Sequence, residues 1–98
     1  MDRDQVIAVL RAHEGDLRGR GVLHAALYGS VARGEATEAS DIDILIDLDP
    51  KAAIDLFEYV AITHYLADLF AAPVDVANRT RLKAPVRPSI ERDAVSAF

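Results

Sequence analysis

The chain has 98 residues, of which 51% are hydrophobic, and a length of this order predicts one domain with a packed core. It contains no cysteine, which excludes disulfides and thiolate metal sites and favours a reducing cytoplasm as its location. The net charge of −5 argues against stable binding to long DNA or RNA, and no apolar run approaches the roughly 18 residues that cross a membrane.

The first forty residues predict a helix, a buried strand and one short helical turn. Apolar side chains at helical spacing predict an amphipathic helix over residues 3–14, and three glycines predict a loop that extends to residue 21. Residues 22–28 are short and apolar, as in a buried strand, and residues 30–34 predict a helical turn. A polar loop over residues 35–40 is expected next.

Residues 41–48 carry the clearest strand signal in the chain, because apolar and acidic residues alternate along them. One face of this strand carries Ile42, Ile44, Ile46 and Leu48, and the other carries Asp41, Asp43, Leu45 and Asp47. The strand therefore presents its aspartates on the face opposite to its apolar one.

The second half predicts a long apolar helix, a short strand and a last helix. The long helix begins at Asp49-Pro50 and runs to about Phe70, and its residues 51–70 are apolar over more than one face. Core packing explains this excess, and so does a homo- or hetero-oligomer formed through residues 51–70. Residues 73–77 predict a strand, 78–85 a basic loop and 88–95 a helix. Alternating helices and strands predict an α/β domain with a small sheet.

The residues that indicate chemistry are Gly29-Ser30, followed after ten residues by Asp41-Ile42-Asp43. A glycine directly after a strand lets the backbone turn sharply and lets a ligand approach closely. A serine at the start of a helical turn offers a hydroxyl and backbone N–H groups to a phosphate. Two aspartates at i and i+2 of a strand point to the same side and repel each other unless cations sit beside them. Their hard oxygens suit Mg²⁺ that bridges to substrate phosphates.

Asp75 is the candidate third carboxylate, because it points away from the apolar Val74 and Val76 on its own strand. If this strand lies beside the one that carries Asp41 and Asp43, the three carboxylates meet, as two-metal phosphoryl transfer requires. One ion would then hold the triphosphate and the other would activate an acceptor hydroxyl. The alternative is a solvated acidic edge strand for the pair, and a simply exposed side chain for Asp75. A chain this short also predicts a site that is open or completed by a partner.

Other polar residues carry weaker signals. Arg33 suits a phosphate contact and equally suits a pair with Glu35. Asp47 is expected to be solvated at the strand end, and Tyr28 to be a packing residue. Arg79, Arg81 and Lys83 are typical of a solvated loop, and the three histidines have no ligand spacing.

Two sequence runs resemble a known superfamily: Leu27-Tyr28-Gly29-Ser30-Val31-Ala32-Arg33-Gly34 and Ser40-Asp41-Ile42-Asp43-Ile44-Leu45-Ile46. They are similar to the nucleotidyltransferases that include DNA polymerase β, and most similar to the minimal nucleotidyltransferases (MNT). The resemblance continues through Pro73-Val74-Asp75-Val76 and the tail from Leu82 to Val95. The chain departs from the pattern at Phe70-Ala71-Ala72, where relatives often have glycine, which puts only the local turn in question.

The resemblance implies a single nucleotidyltransferase domain over residues 1–98 with a polymerase-β-like α/β (α+β) fold, a small mixed sheet flanked by helices. It implies that Asp41, Asp43 and Asp75 are catalytic metal ligands, and that Gly29, Ser30 and Arg33 contact the nucleotide phosphates. MNT proteins commonly act as antitoxins of HEPN ribonuclease toxins, and some transfer AMP from ATP to a toxin tyrosine in an Mg²⁺-dependent reaction. A non-catalytic antitoxin that masks its partner is the alternative. A small-molecule nucleotidyltransferase of the antibiotic-modifying kind comes last, because such enzymes usually carry an extra helical domain.

Overall fold

The computed structural model describes residues 1–98, which form five helices around one four-stranded sheet. The helices are α1 (Arg3–Ala12), α2 (Glu14–Gly19), α3 (Gly29–Ala32), α4 (Leu56–Asp68) and α5 (Arg87–Asp93). The strands are β1 (Val22–Tyr28), β2 (Ile42–Leu48), β3 (Val74–Asn78) and β4 (Val95–Ser96). Short 3-10 helices at Pro50–Ala52 and Arg79–Arg81 complete the chain. None of the helices combines the length and the hydrophobicity that a membrane-spanning segment needs.

The sheet is mixed, with the order β3-β2-β1-β4. β1 runs antiparallel to both β2 and β4, whereas β2 and β3 are parallel and are connected through α4. The predicted adjacency of the two aspartate-bearing strands is therefore confirmed, and so is the mixed sheet flanked by helices.

The main core lies between one face of the sheet and helices α1, α2 and α4. It includes the predicted apolar face of β2, with Ile42, Ile44 and Ile46 almost fully buried. Side chains of α4, Ile62 and Leu66, pack into the same cluster. Because the core occupies this face of β2, the aspartate-bearing face is left for other contacts.

The predicted loop before residue 21 is wrong in part, because residues 14–19 form α2. Gly15 and Gly19 lie inside this helix, and Leu17 between them is fully buried. The burial of Leu17 outweighs the cost of about 1 kcal/mol that each exposed helical glycine carries. The first helix accordingly ends at Ala12, where the prediction extended it to residue 14.

The single long helix predicted from Pro50 to Phe70 is also wrong, because the chain breaks at Ala53. Ala53 adopts φ 49°, a left-handed conformation that a helix cannot contain. Asp49 caps the 3-10 turn by accepting from the Lys51 N–H, and Asp55 caps α4 by accepting from the Glu58 N–H. Two aspartate caps within seven residues thus define two helices.

The start of α4 is exposed, which bears on the excess of apolar residues in 51–70. Leu56, Phe57 and Val60 are 72%, 84% and 40% exposed, while the later Ile62 and Leu66 are buried. Core packing explains the second half of the helix and Tyr59, which packs against the core cluster from the first half. The first half presents an uncovered apolar surface.

The last predicted helix, over residues 88–95, is confirmed up to Asp93 as α5, but its end is wrong, because Val95 belongs to the two-residue strand β4. β4 pairs with the second half of β1, where Val95 lies opposite Leu27. The adjoining Ala97 is 1% exposed and donates its N–H to the Ala25 carbonyl. These hydrogen bonds require the tail to leave the helical conformation after Asp93.

Candidate active site

A row of three polar side chains crosses one end of the sheet. Asp43 of β2 lies in register with Tyr28 of β1 on one side and with Asp75 of β3 on the other. Because residues in register point to the same face of a sheet, the two carboxylates are direct neighbours. Asp43 is half-buried and Asp75, on the outer strand, is exposed. Two of the three predicted carboxylates are thus brought together from different strands.

Gly29 makes the turn that places the end of β1 against Asp43. Its φ is +73°, and a side-chain Cβ at this position would lie 2.2 Å from Asp43 Oδ2. Only a residue without a side chain allows the carboxylate to approach the backbone this closely. The requirement for glycine here therefore comes from Asp43 as much as from the turn.

Ser30 occupies the first turn of α3 and is half-buried beside this glycine. Its carbonyl accepts the Glu35 N–H at 2.9 Å, which closes the loop after the turn. The first N–H groups of a helix have no partner within the helix, so they are free to bind an anion. The predicted phosphate-binding turn thus adjoins the carboxylate pair.

Asp41 lies one residue before β2 and is exposed. Its negative charge still reaches Asp43, whose pKa it helps to raise. As the side chains stand, no group of three or more histidine, cysteine or acidic residues is arranged to hold a metal ion. Asp41 therefore flanks the Asp43–Asp75 pair at electrostatic range.

The electrostatics of Asp43 indicate a place for a cation. Burial raises the pKa of the Asp43 carboxyl, the charges of Asp75 and Asp41 raise it further, and the Arg33 guanidinium lowers it. Ionised neighbouring carboxylates repel each other, and a cation between them removes that cost. Hard oxygen donors with open coordination positions fit Mg²⁺ in their chemistry.

Two tyrosines surround the pair. Burial and the charges of Asp43 and Asp75 raise the pKa of Tyr28 to about 12, so this side chain borders the acidic site besides packing. Burial also raises the pKa of Tyr59, on α4, with Asp75 contributing and Arg81 opposing. Sequence reasoning missed Tyr59, because no local pattern connects a helix residue to a strand carboxylate.

A cavity of about 370 Å³ lies between the start of α4 and the far end of β3. Its lining is largely apolar and includes Ile54, Leu56, Tyr59, Ala77 and Arg81. Tyr59 is thus shared between the cavity wall and the surroundings of Asp75.

Two arginines form ion pairs on the aspartate-bearing side of the sheet. Arg33 donates to Glu35, as one of the two interpretations of the sequence held, and also to Asp93 of α5. Arg79 donates to Asp47 at 2.8 Å and to Glu91. The expectations that Asp47 and Arg79 are simply solvated are wrong, because each is half-buried in this pair.

The nucleotidyltransferase domain family matches residues 10–97 of the chain. The protein adenylyltransferase MntA of Thermococcus cleftensis is 33% identical over 93 residues, covering 94% of this chain and 92% of that protein. A Methanocaldococcus jannaschii protein assigned the same activity is 38% identical over 93 residues, covering 93% of each chain.

Solved structures agree with these sequence matches. A structure described as a minimal nucleotidyltransferase superposes with a TM-score of 0.80 at 28% identity, covering 97% of this chain and 95% of that one. A chain of a toxin–antitoxin crystallised with AMP-PNP superposes with a TM-score of 0.71 at 17% identity, covering 100% of this chain and 73% of that one. At 17% identity the second likeness is evidence of the fold alone.

Proposed function

Because this chain belongs to the nucleotidyltransferase domain family, we propose that it transfers AMP from ATP to a tyrosine hydroxyl of a partner HEPN ribonuclease toxin and so acts as an antitoxin. The observation that carries the proposal is the Asp43–Asp75 pair, in register on parallel strands and next to the Gly29 turn. Neighbouring carboxylates beside a phosphate-binding turn are the arrangement that metal-dependent phosphoryl transfer uses.

Asp43 and Asp75, together with the flanking Asp41, would hold Mg²⁺. The raised pKa of Asp43 supports this assignment, because burial and the negative charges of Asp75 and Asp41 disfavour its ionised form, and a bound cation would relieve both effects. When bound, the ion would neutralise phosphate charge and lower the pKa of the acceptor hydroxyl.

The remaining residues bind and orient the substrates. The Gly29–Ser30 turn receives the phosphates through its N–H groups and the Ser30 hydroxyl, and Arg33 adds a positive charge within electrostatic reach of Asp43. The acceptor oxygen attacks the α-phosphorus, the bond to the bridging oxygen of the β-phosphate breaks, and pyrophosphate leaves. The exposed Asp75 takes the proton of the acceptor hydroxyl.

A macromolecular acceptor fits the openness of the site. Asp75 lies on the outer strand and is exposed, so a side chain on another protein reaches it without entering a closed pocket. The uncovered start of α4, at Leu56, Phe57 and Val60, offers apolar surface for such a partner. The relatives named as protein adenylyltransferases support the same acceptor class.

The test is to incubate the chain with the protein encoded beside it, ATP and Mg²⁺, and to follow the intact mass of that protein. We expect the partner to gain one or more adenylyl units and to lose ribonuclease activity. Asp43→Asn should abolish the mass gain. Asp47→Asn is the matched control, because Asp47 lies on the same strand and pairs with Arg79; it should retain transfer.

Masking by binding alone is the competing function, and the exposed apolar start of α4 is the observation that favours it. It predicts that the partner's mass never changes and that the double variant Asp41→Asn, Asp43→Asn still neutralises the partner. That combination of results would refute the catalytic proposal. Labelling of an aminoglycoside with no change in the protein partner would instead indicate a small-molecule enzyme.

A further inference from the structure

Arg33 is the positive side chain nearest in sequence to the phosphate-binding turn. It follows α3 directly, as the C-cap residue of the helix that begins with Gly29 and Ser30. Its charge reaches the site, because it lowers the pKa of Asp43. The orientation of its guanidinium therefore matters to whatever binds beside Asp43.

Two carboxylates fix that guanidinium. Glu35, two residues later, accepts from Nε at 3.1 Å, and Asp93 of α5 accepts from Nη1 at 2.8 Å. The Glu35 side chain is 64% exposed, whereas the Asp93 side chain is only 22% exposed. Because screening by solvent weakens exposed ion pairs, Asp93 is the firmer of the two anchors.

The pairing leaves Arg33 able to bind a ligand. A guanidinium has about five N–H donors, and the two bonds occupy one on Nε and one on Nη1. The donors that remain are free for phosphate oxygens. The two carboxylates therefore orient the Arg33 side chain and leave its other N–H donors available.

We infer that Asp93 is a positioning residue for the nucleoside triphosphate, which it serves by holding the Arg33 guanidinium in place from α5. This role rests on the proposed function, in which Arg33 contacts the phosphates. The physical reason is entropy: a long arginine side chain that is already ordered loses less rotamer freedom when the triphosphate binds.

The sign of the effect separates positioning from simple charge. Asp93 is negative and lies close to Arg33, so an electrostatic argument alone predicts that its removal strengthens the binding of a polyanion. Positioning predicts that its removal weakens binding. The two effects are opposite, and the expected loss is about 3- to 10-fold in affinity, the size of ordering one long side chain.

α5 supplies a matched control in Glu91. Glu91 pairs with Arg79, which also pairs with Asp47 of β2, so Glu91 ties the same helix to the sheet without touching Arg33. Loss of either carboxylate removes one ion pair between α5 and the rest of the chain. Only the loss of Asp93 leaves Nη1 of Arg33 without its carboxylate partner.

The experiment measures binding of α,β-methylene-ATP, which cannot transfer AMP, to the full chain in Mg²⁺ by calorimetry. Asp93→Ala should raise the Kd about 3- to 10-fold, whereas Glu91→Ala should change it less than about 2-fold. In an Arg33→Ala background, Asp93→Ala should have no further effect on the Kd. In the transfer assay, Asp93→Ala should raise KM for ATP and leave kcat unchanged, and Asp93→Glu should recover most of the affinity.

Equal effects of Asp93→Ala and Glu91→Ala would show that Asp93 only anchors α5, and tighter or unchanged binding would also overturn the role. If the wild-type chain binds the nucleotide and transfers AMP while these outcomes occur, the positioning role fails and the proposed function stands. If the wild-type chain neither binds nor transfers, both fail together.

Discussion

Replacing Gly29 with alanine tests the close contact between the turn and Asp43. The added Cβ would lie 2.2 Å from Asp43 Oδ2, a distance that no real contact allows, so the carboxylate must move by about 1 Å. The backbone also pays about 1–2 kcal/mol, because alanine at φ +73° is left-handed. If Asp43 binds the catalytic metal as proposed, a misplacement of this size costs about 100-fold in rate.

Gly34 provides the control, since it has the same φ of +73° but nothing within 4 Å of the added Cβ. Gly34→Ala therefore carries the same backbone cost without displacing a carboxylate. Both variants should lose about 4–15 °C in Tm by calorimetry. Gly29→Ala should lose roughly 100-fold in the initial rate of AMP transfer, and Gly34→Ala should stay within about 3-fold of wild type. Equal rates for the two variants would refute the argument that Gly29 is required because Asp43 lies against it.

Three further predictions concern charge, titration and packing. The raised pKa of Asp43 means that its charged form destabilises the fold at neutral pH, so Asp43→Asn should raise Tm in EDTA by roughly 2–4 °C at pH 7. This gain should vanish as the pH falls through the raised pKa, because wild-type Asp43 then becomes protonated. A gain that persists at low pH would contradict the assignment. Burial and neighbouring carboxylates raise the pKa of Tyr28 to about 12, so the phenolate absorbance should show a last ionisation step near that pH. Tyr28→Phe should remove this step. A step that survives in Tyr28→Phe belongs to another tyrosine and would contradict the assignment. Phe57→Ser should change the free energy of unfolding by less than about 0.5 kcal/mol, because Phe57 is exposed, whereas Leu66→Ala in the core should cost about 2–5 kcal/mol in chemical denaturation. A large loss for Phe57→Ser would mean that the start of α4 is covered in the isolated chain.

The elements nearest the site could be predicted from local pattern. β1 matches its predicted bounds, and β2 and β3 match theirs to within one residue, because short apolar runs and strict alternation signal strands directly. The Gly29-Ser30 turn was also predictable from local sequence, because a glycine directly after a strand allows the backbone to turn sharply. Local sequence was therefore sufficient to find the turn and both carboxylates of the pair.

What could not be predicted depends on contacts between distant residues. β4 is two residues long, too short for any periodicity, and exists because it pairs with the second half of β1. The Arg33–Asp93 pair joins residues sixty positions apart, and Tyr59 approaches Asp75 from a helix. The register that places Asp43 beside Asp75 is likewise a tertiary property, although the alternation within each strand predicted which face each carboxylate occupies.

The outermost position of β3 has a consequence for how such a module evolves. Asp75, one carboxylate of the proposed metal-binding pair, belongs to the outermost strand of the sheet, so the proposed function places transfer chemistry and target recognition on different parts of the molecule. If that function holds, substitutions on the exposed start of α4 would redirect the domain to a new target while Asp75 and its neighbour Asp43 stay unchanged. A domain of this kind is therefore suited to acquiring new targets by surface substitution while it keeps the same carboxylate pair.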